Sequence, residues 1–154
     1  AAVEARSAGV RVAVIPTRAQ VQGIAAAAVH EPARTFDADV VAMTTAAGHT
    51  RHGAVTVAIR EAVTSAGVCQ PGDVLGVVEG DFVVIGDDVR AVAVGVVERM
   101  LAAGGELVTV VAGSESDRAL ADTVTDAVRR SHPGVDTVVY LGGQARYPLL
   151  IGVE

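Results

Sequence analysis

The chain holds 154 residues, 51% of them hydrophobic and 19% charged, which suffices for a domain with a buried core and excludes a disordered chain. Aromatic residues supply only 3% and Trp is absent, so the core must be packed from Ala, Val, Leu and Ile. The formal net charge is -6 and all 12 basic residues are Arg; without Lys, Schiff-base and P-loop lysine chemistry is excluded, and an acidic chain without basic clusters disfavours nucleic acid.

In chain order, residues 1–6 carry neither an initiator Met nor a signal-peptide pattern, and they read as the tail of a helix in a fragment of a longer cytoplasmic protein. Residues 11–15, Arg-Val-Ala-Val-Ile, form a β-branched run that stops at Pro16 and predicts a buried strand. Thr17 can cap the helix predicted over residues 19–30, in which Gly23 would let a backbone or a ligand come close. A second helix is predicted over 35–47, a loop over 49–53 and a strand over 54–60. Turn signals at 65–67, 70–73, 79–81 and 85–87 bracket strand-like runs at 74–78 and 82–85, which predicts a small β-meander. Asp87 or Asp88 caps a helix over 89–103, closed by Gly104-Gly105. Then come a strand at 106–111, a helix at 117–131, a strand at 136–141 and a last strand at 149–154. Strand, crossover helix and strand imply a parallel pair with a right-handed connection. The expected organisation is a first α/β lobe at 1–63, a meander at 64–88 and a second α/β lobe at 89–154. No apolar run approaches the roughly 18 residues of a membrane span.

Most chemistry-bearing patterns are weak. Cys69 is the single cysteine and reads as a small hydrophobe near a turn. The four histidines, His30, His49, His52 and His132, show no i, i+4 spacing; His49 and His52 are either a weak metal pair or solvated loop residues. Gly113-Ser114-Glu115-Ser116 stands before a helix, either as an anion site or as a turn in which Ser114 or Ser116 caps, and Glu115 and Asp117 would repel a phosphate. No serine occupies a GxSxG elbow. Two polar segments stand out at strand ends, where ligands and partners dock in open α/β sheets. These are residues 16–23 and the run 142–148, Gly-Gly-Gln-Ala-Arg-Tyr-Pro, which is either a docking loop or a rigid turn.

Those segments carry a family resemblance. Val14-Ile15-Pro16-Thr17, Gln22-Gly23-Ile24-Ala25-Ala26, Met43, the run Gly53 to Arg60, Gly72-Asp73, Glu106-Leu107-Val108-Thr109, Gly142-Gly143-Gln144, Tyr147-Pro148 and Glu154 occur in an order that resembles the carboxy-terminal domain of the ATP-binding subunit of bacterial fatty-acid kinase. That subunit belongs to the dihydroxyacetone kinase-like family. The resemblance covers nearly the whole chain; the Ala-rich first helix and Ala145-Arg146 in place of Pro-Leu depart from it.

The resemblance implies an α/β fold of mixed sheet and flanking helices, related to DegV proteins and to the dihydroxyacetone-binding kinase domain. It implies a noncatalytic domain that docks a DegV-type, fatty-acid-binding subunit for phosphorylation by an upstream kinase domain, where ATP and Mg would bind; no cofactor or metal is expected on this chain. The residues assigned to partner or ligand binding are Thr17, Gln22, Gly23, Thr56, Arg60, Gly143, Gln144, Arg146 and Tyr147. Arg60 and Arg146 would offer planar donors to acidic groups, and Tyr147 an aromatic anchor. The alternatives are a domain that binds a dihydroxyacetone-like small molecule or acts on it as a kinase substrate, and an architectural lobe that forms a homo-oligomer.

Overall fold

The computed structural model describes residues 1–114 and 117–154. The chain divides into two compact units, Ala1–His49 and Thr50–Glu154.

The first unit is helical: α1 (Ala2–Ser7), α2 (Gln20–Ala28) and α3 (Phe36–His49). Helices α2 and α3 pack on each other, with Val21, Ala25 and Ala26 of α2 and Ala47 of α3 buried. The predicted strand at 11–15 does not form; the segment is extended, and Val14 is exposed. Composition favours a strand there, but a strand needs a ladder partner. Side chains hold this segment instead: the Arg6 guanidinium donates to the Val12 carbonyl, and Arg11 pairs with Asp37 at 2.6 Å. Thr17 does not cap α2. The N-cap is Ala19, and Gln22 folds back so that its Oε1 accepts from the Arg18 N–H at 2.7 Å.

The second unit contains β1 (Arg51–Val57), β2 (Ala62–Thr64), β3 (Gly67–Cys69), β4 (Val74–Val78), β5 (Asp81–Gly86), α4 (Val89–Leu101), β6 (Leu107–Ala112), α5 (Arg118–Ser131), β7 (Asp136–Leu141) and β8 (Leu149–Val153). Six strands form one mixed sheet in the order β5-β4-β1-β8-β6-β7. β6 and β7 are parallel and joined through α5, as the strand–helix–strand pattern predicted; the other neighbours are antiparallel. β8 lies between β1 and β6 and is buried throughout, which explains its continuous apolar sequence. The fold class is thus mixed α/β, as expected from the sequence.

Two differences from the sequence reading concern this sheet. Residues 51–53 are strand rather than loop, because Arg51, His52 and Gly53 pair with Val153, Gly152 and Ile151. The expected lobe boundaries at 63/64 and 88/89 also do not coincide with the two units: β1, the meander strands β4 and β5, and the last three strands share a single sheet.

Helices α4 and α5 pack against this sheet around Val55, Val108, Val110, Leu149, Ile151 and Val153. Asp88 caps α4, its Oδ1 accepting from the Arg90 N–H at 2.7 Å, while the Arg51 guanidinium donates to the Met100 and Gly104 carbonyls at the other end. In α5, Leu120, Ala121, Val124, Ala127 and Val128 are buried at helical spacing.

Three glycines seat α4. A Cβ would lie 2.7 Å from Met100 Sδ at Gly53, 2.5 Å from Val96 Cγ2 at Gly76 and 2.9 Å from Val92 Cγ2 at Gly86. The register offsets these glycines by two residues from strand to strand, with Val55 opposite Gly76 and Val74 opposite Gly86. The resulting diagonal groove receives Val92, Val96 and Met100, one face of α4. A smaller cluster of Ala58, Cys69 and Leu75, with Ala62, Phe82 and Ile85 against it, lies under the β2–β3 hairpin. Cys69 is therefore a buried hydrophobe, as its sequence setting suggested.

Candidate partner-docking loop

The parallel strands β6 and β7 end side by side, and the loop 142–148 leads from there into β8. Its backbone is tied to the end of β6: the Gly142 N–H donates to the Ala112 carbonyl at 2.8 Å, and the Gly113 N–H to the Pro148 carbonyl at 2.9 Å. Gln144 braces it from within, Nε2 donating to the carbonyls of Val111 at 3.2 Å and Tyr147 at 3.3 Å.

Glycine is required at Gly113, where a Cβ would stand 2.5 Å from the Tyr147 carbonyl oxygen and 2.7 Å from that of Gln144. A Cβ at Gly142 would collide with Gln144 Oε1. Gly143 adopts φ 70°, the left-handed region, and its surroundings are open. Asp117 latches the facing turn, its Oδ2 accepting from the Ser114 N–H at 2.8 Å and from the Ser114 hydroxyl at 2.7 Å. Ser114 is therefore a donor to Asp117. The readings that involve Glu115 and Ser116 lie outside the described residues.

The loop is a rigid turn that displays side chains. Arg146 is exposed and Tyr147 half-buried, and the Thr56 hydroxyl of β1 donates to the Arg146 carbonyl at 3.4 Å. Thr56, Gly143, Gln144, Arg146 and Tyr147 thus gather at one place in the second unit. Gln144 is turned inward as a brace, so it offers its amide to the protein's own carbonyls. Arg60 lies beyond β1 in the bend before β2, exposed, with its own carbonyl accepting from the Cys69 thiol at 3.9 Å. Around it Ile59 is 89% exposed and Val63 85%, aliphatic surface on the outer side of the hairpin.

The remaining expected residues belong to the first unit. Thr17 is exposed in the extended segment, Gln22 is buried at the start of α2, and Gly23 is exposed. A Cβ at Gly23 would meet nothing within 4 Å, so no close approach demands glycine there.

Sequence reasoning did not find three carboxylate–histidine pairs, whose partners are 9, 27 and 34 residues apart: His30 with Asp39 at 2.6 Å, His52 with Glu79 at 3.3 Å and His132 with Glu98 at 2.8 Å. Asp39 also accepts from the Glu31 N–H at 3.0 Å and from Arg34 at 3.4 Å. The Glu31 backbone bond first, and the His30 bond next, hold its carboxyl below the ordinary range. Among the described residues no three His, Cys, Asp or Glu side chains gather to hold a metal ion. Nor is any helix among them long and apolar enough to cross a membrane.

Comparison with known proteins agrees with this architecture. The fold resembles a DegV family protein from Eubacterium eligens loaded with heptadecanoic acid, at TM-score 0.68 and 17% identity over 99% of this chain and 64% of that one. It also resembles the dihydroxyacetone kinase of C. freundii, at TM-score 0.54 and 15% identity over 99% of this chain and 34% of that one. In sequence, an uncharacterized protein of Staphylococcus haemolyticus is 30% identical over 141 residues, 92% of this chain and 26% of the relative. An uncharacterized protein of Staphylococcus aureus strain USA300 is 26% identical over the same length and coverage. The chain therefore spans about a quarter of the length of these relatives. Residues 1–154 match the FakA-like C-terminal family, the carboxy-terminal domain of the A-like subunit of fatty acid kinase, and the chain belongs to that family.

Proposed function

We propose that the chain is a noncatalytic docking domain of a cytoplasmic fatty-acid kinase-like protein. It engages a DegV-type subunit that carries a fatty acid, and phosphoryl transfer takes place on an upstream domain that binds ATP and Mg. The observation that carries this reading is the braced loop 142–148. Its backbone polar groups are tied to β6, so displaying Arg146 and Tyr147 costs little ordering entropy on binding. A pre-organised loop with an exposed guanidinium and an aromatic ring is suited to a protein surface bearing carboxylates. Arg60 and the aliphatic side chains around it extend the same chemistry along β1 and the hairpin.

Isothermal titration of the chain with a DegV-family protein from the same organism, loaded with a long-chain fatty acid, tests the reading. Saturable binding is expected, and no heat above dilution would overturn it. A thermal-shift series with dihydroxyacetone, free fatty acids and nucleotides separates docking from the small-molecule alternative: docking predicts no shift with any of them, and a saturable shift with dihydroxyacetone would favour the alternative.

A further inference from the structure

We propose that the outer edge of β7 is a self-association surface that pairs antiparallel with β7 of a second copy of this chain. β7 ends the six-stranded sheet, and its register with β6 is unbroken from Asp136 to Leu141. It has no Pro, no Gly, no bulge and no charge after Asp136, which are the devices that protect an edge strand. The opposite edge, β5, carries a register shift against β4 between Gly76 and Val77. Near the end of β7, Tyr140 is 47% exposed and Leu141 49%.

The hydrogen-bond direction identifies the occupant. The N–H groups of Asp136 and Gly142 point inward, donating to the carbonyls of Glu106 and Ala112 at either end of β6. Strand residues alternate, so Thr137, Val139 and Leu141 direct their N–H and C=O groups outward. An antiparallel pair centred on Val139 satisfies all of these groups with copies of themselves: Val139 faces Val139, and Thr137 faces Leu141 of the second copy. The same register sets Val138 beside Tyr140 of the second copy, a β-branched and aromatic pair of the kind that stabilises sheets. It places Asp136 opposite Gly142, so no carboxylate meets another. The strand is thus self-complementary in hydrogen bonding, shape and charge, as a two-fold interface requires.

One strand pair is a small interface, so the dimer is weak and forms at high protein concentration. The net charge of -6 on each copy opposes it, and added salt should screen that repulsion and strengthen association. Sedimentation velocity from micromolar to near-millimolar concentration provides the test. The expected result is a rise toward twice the chain mass, at lower concentration in higher salt. Val139→Pro removes an outward N–H while sparing the β6 ladder, and it should abolish the rise. Concentration-dependent amide exchange gives a reading that does not depend on that variant: slowing at Thr137, Val139 and Leu141 as the dimer forms is expected. A mass of one chain throughout, a folded Val139→Pro that still dimerises, or slowing confined to other strands would overturn the proposal.

Discussion

At Asp39, a backbone N–H, a histidine and an arginine converge on one carboxylate near the start of α3. Because the folded form holds this carboxyl below its unfolded value, the stability it contributes is present above the ordinary aspartate range and is lost as pH falls through the lowered value. Acid unfolding followed by circular dichroism should show a steeper loss below about pH 4 in the native chain than in Asp39→Asn; identical profiles would contradict this role. Gln144 makes another residue-scale case. It stood out in the sequence as a polar group in a glycine-rich run, and its location was legible. Its orientation was not, because an amide serves a partner or the protein's own carbonyls equally well until the carbonyls of Val111 and Tyr147 are placed within reach. Gln144→Ala should lower unfolding free energy by about 1–2 kcal/mol, two net hydrogen bonds, as read by urea titration.

Among the elements, α4 shows how far sequence pattern reaches. Its start was legible from Asp88 and its extent from the apolar spacing, since cap and amphipathic face are local signals. The seat beneath it was not legible, because Gly53, Gly76 and Gly86 are distant in sequence and become neighbours only through strand register. Gly76→Ala should cost about 1–3 kcal/mol by forcing Val96 aside, and Val96→Ala in that background should cost less than it does alone. Simple additivity in a double-mutant cycle would contradict the close seating. Residues 11–15 and 51–53 fail in opposite directions for one reason. Residues 11–15 have strand composition without a ladder, whereas residues 51–53 have the composition of a polar loop and are held as strand by β8 and β4. Pairing partners override propensity in both.

For the whole molecule, the family resemblance was legible because an ordered set of short motifs spans most of the chain, although each motif alone is weak. The division at His49 and Thr50 was not, since it depends on β1 joining a sheet whose other strands lie far along the sequence. The DegV-like fold supplies a sheet whose strand ends carry a rigid, glycine-dependent loop, and that loop is where the proposed partner is met. Docking and edge pairing use different places, the loop 142–148 and the outer edge of β7, so Val139→Pro should leave partner affinity unchanged. The most direct measurement is the affinity of a fatty-acid-loaded DegV-type protein for the native chain and for Arg146→Ala and Tyr147→Ala, each checked for folding by circular dichroism. The account predicts a loss of about tenfold or more for each variant, roughly 1.4 kcal/mol; native-like affinity in both would contradict it.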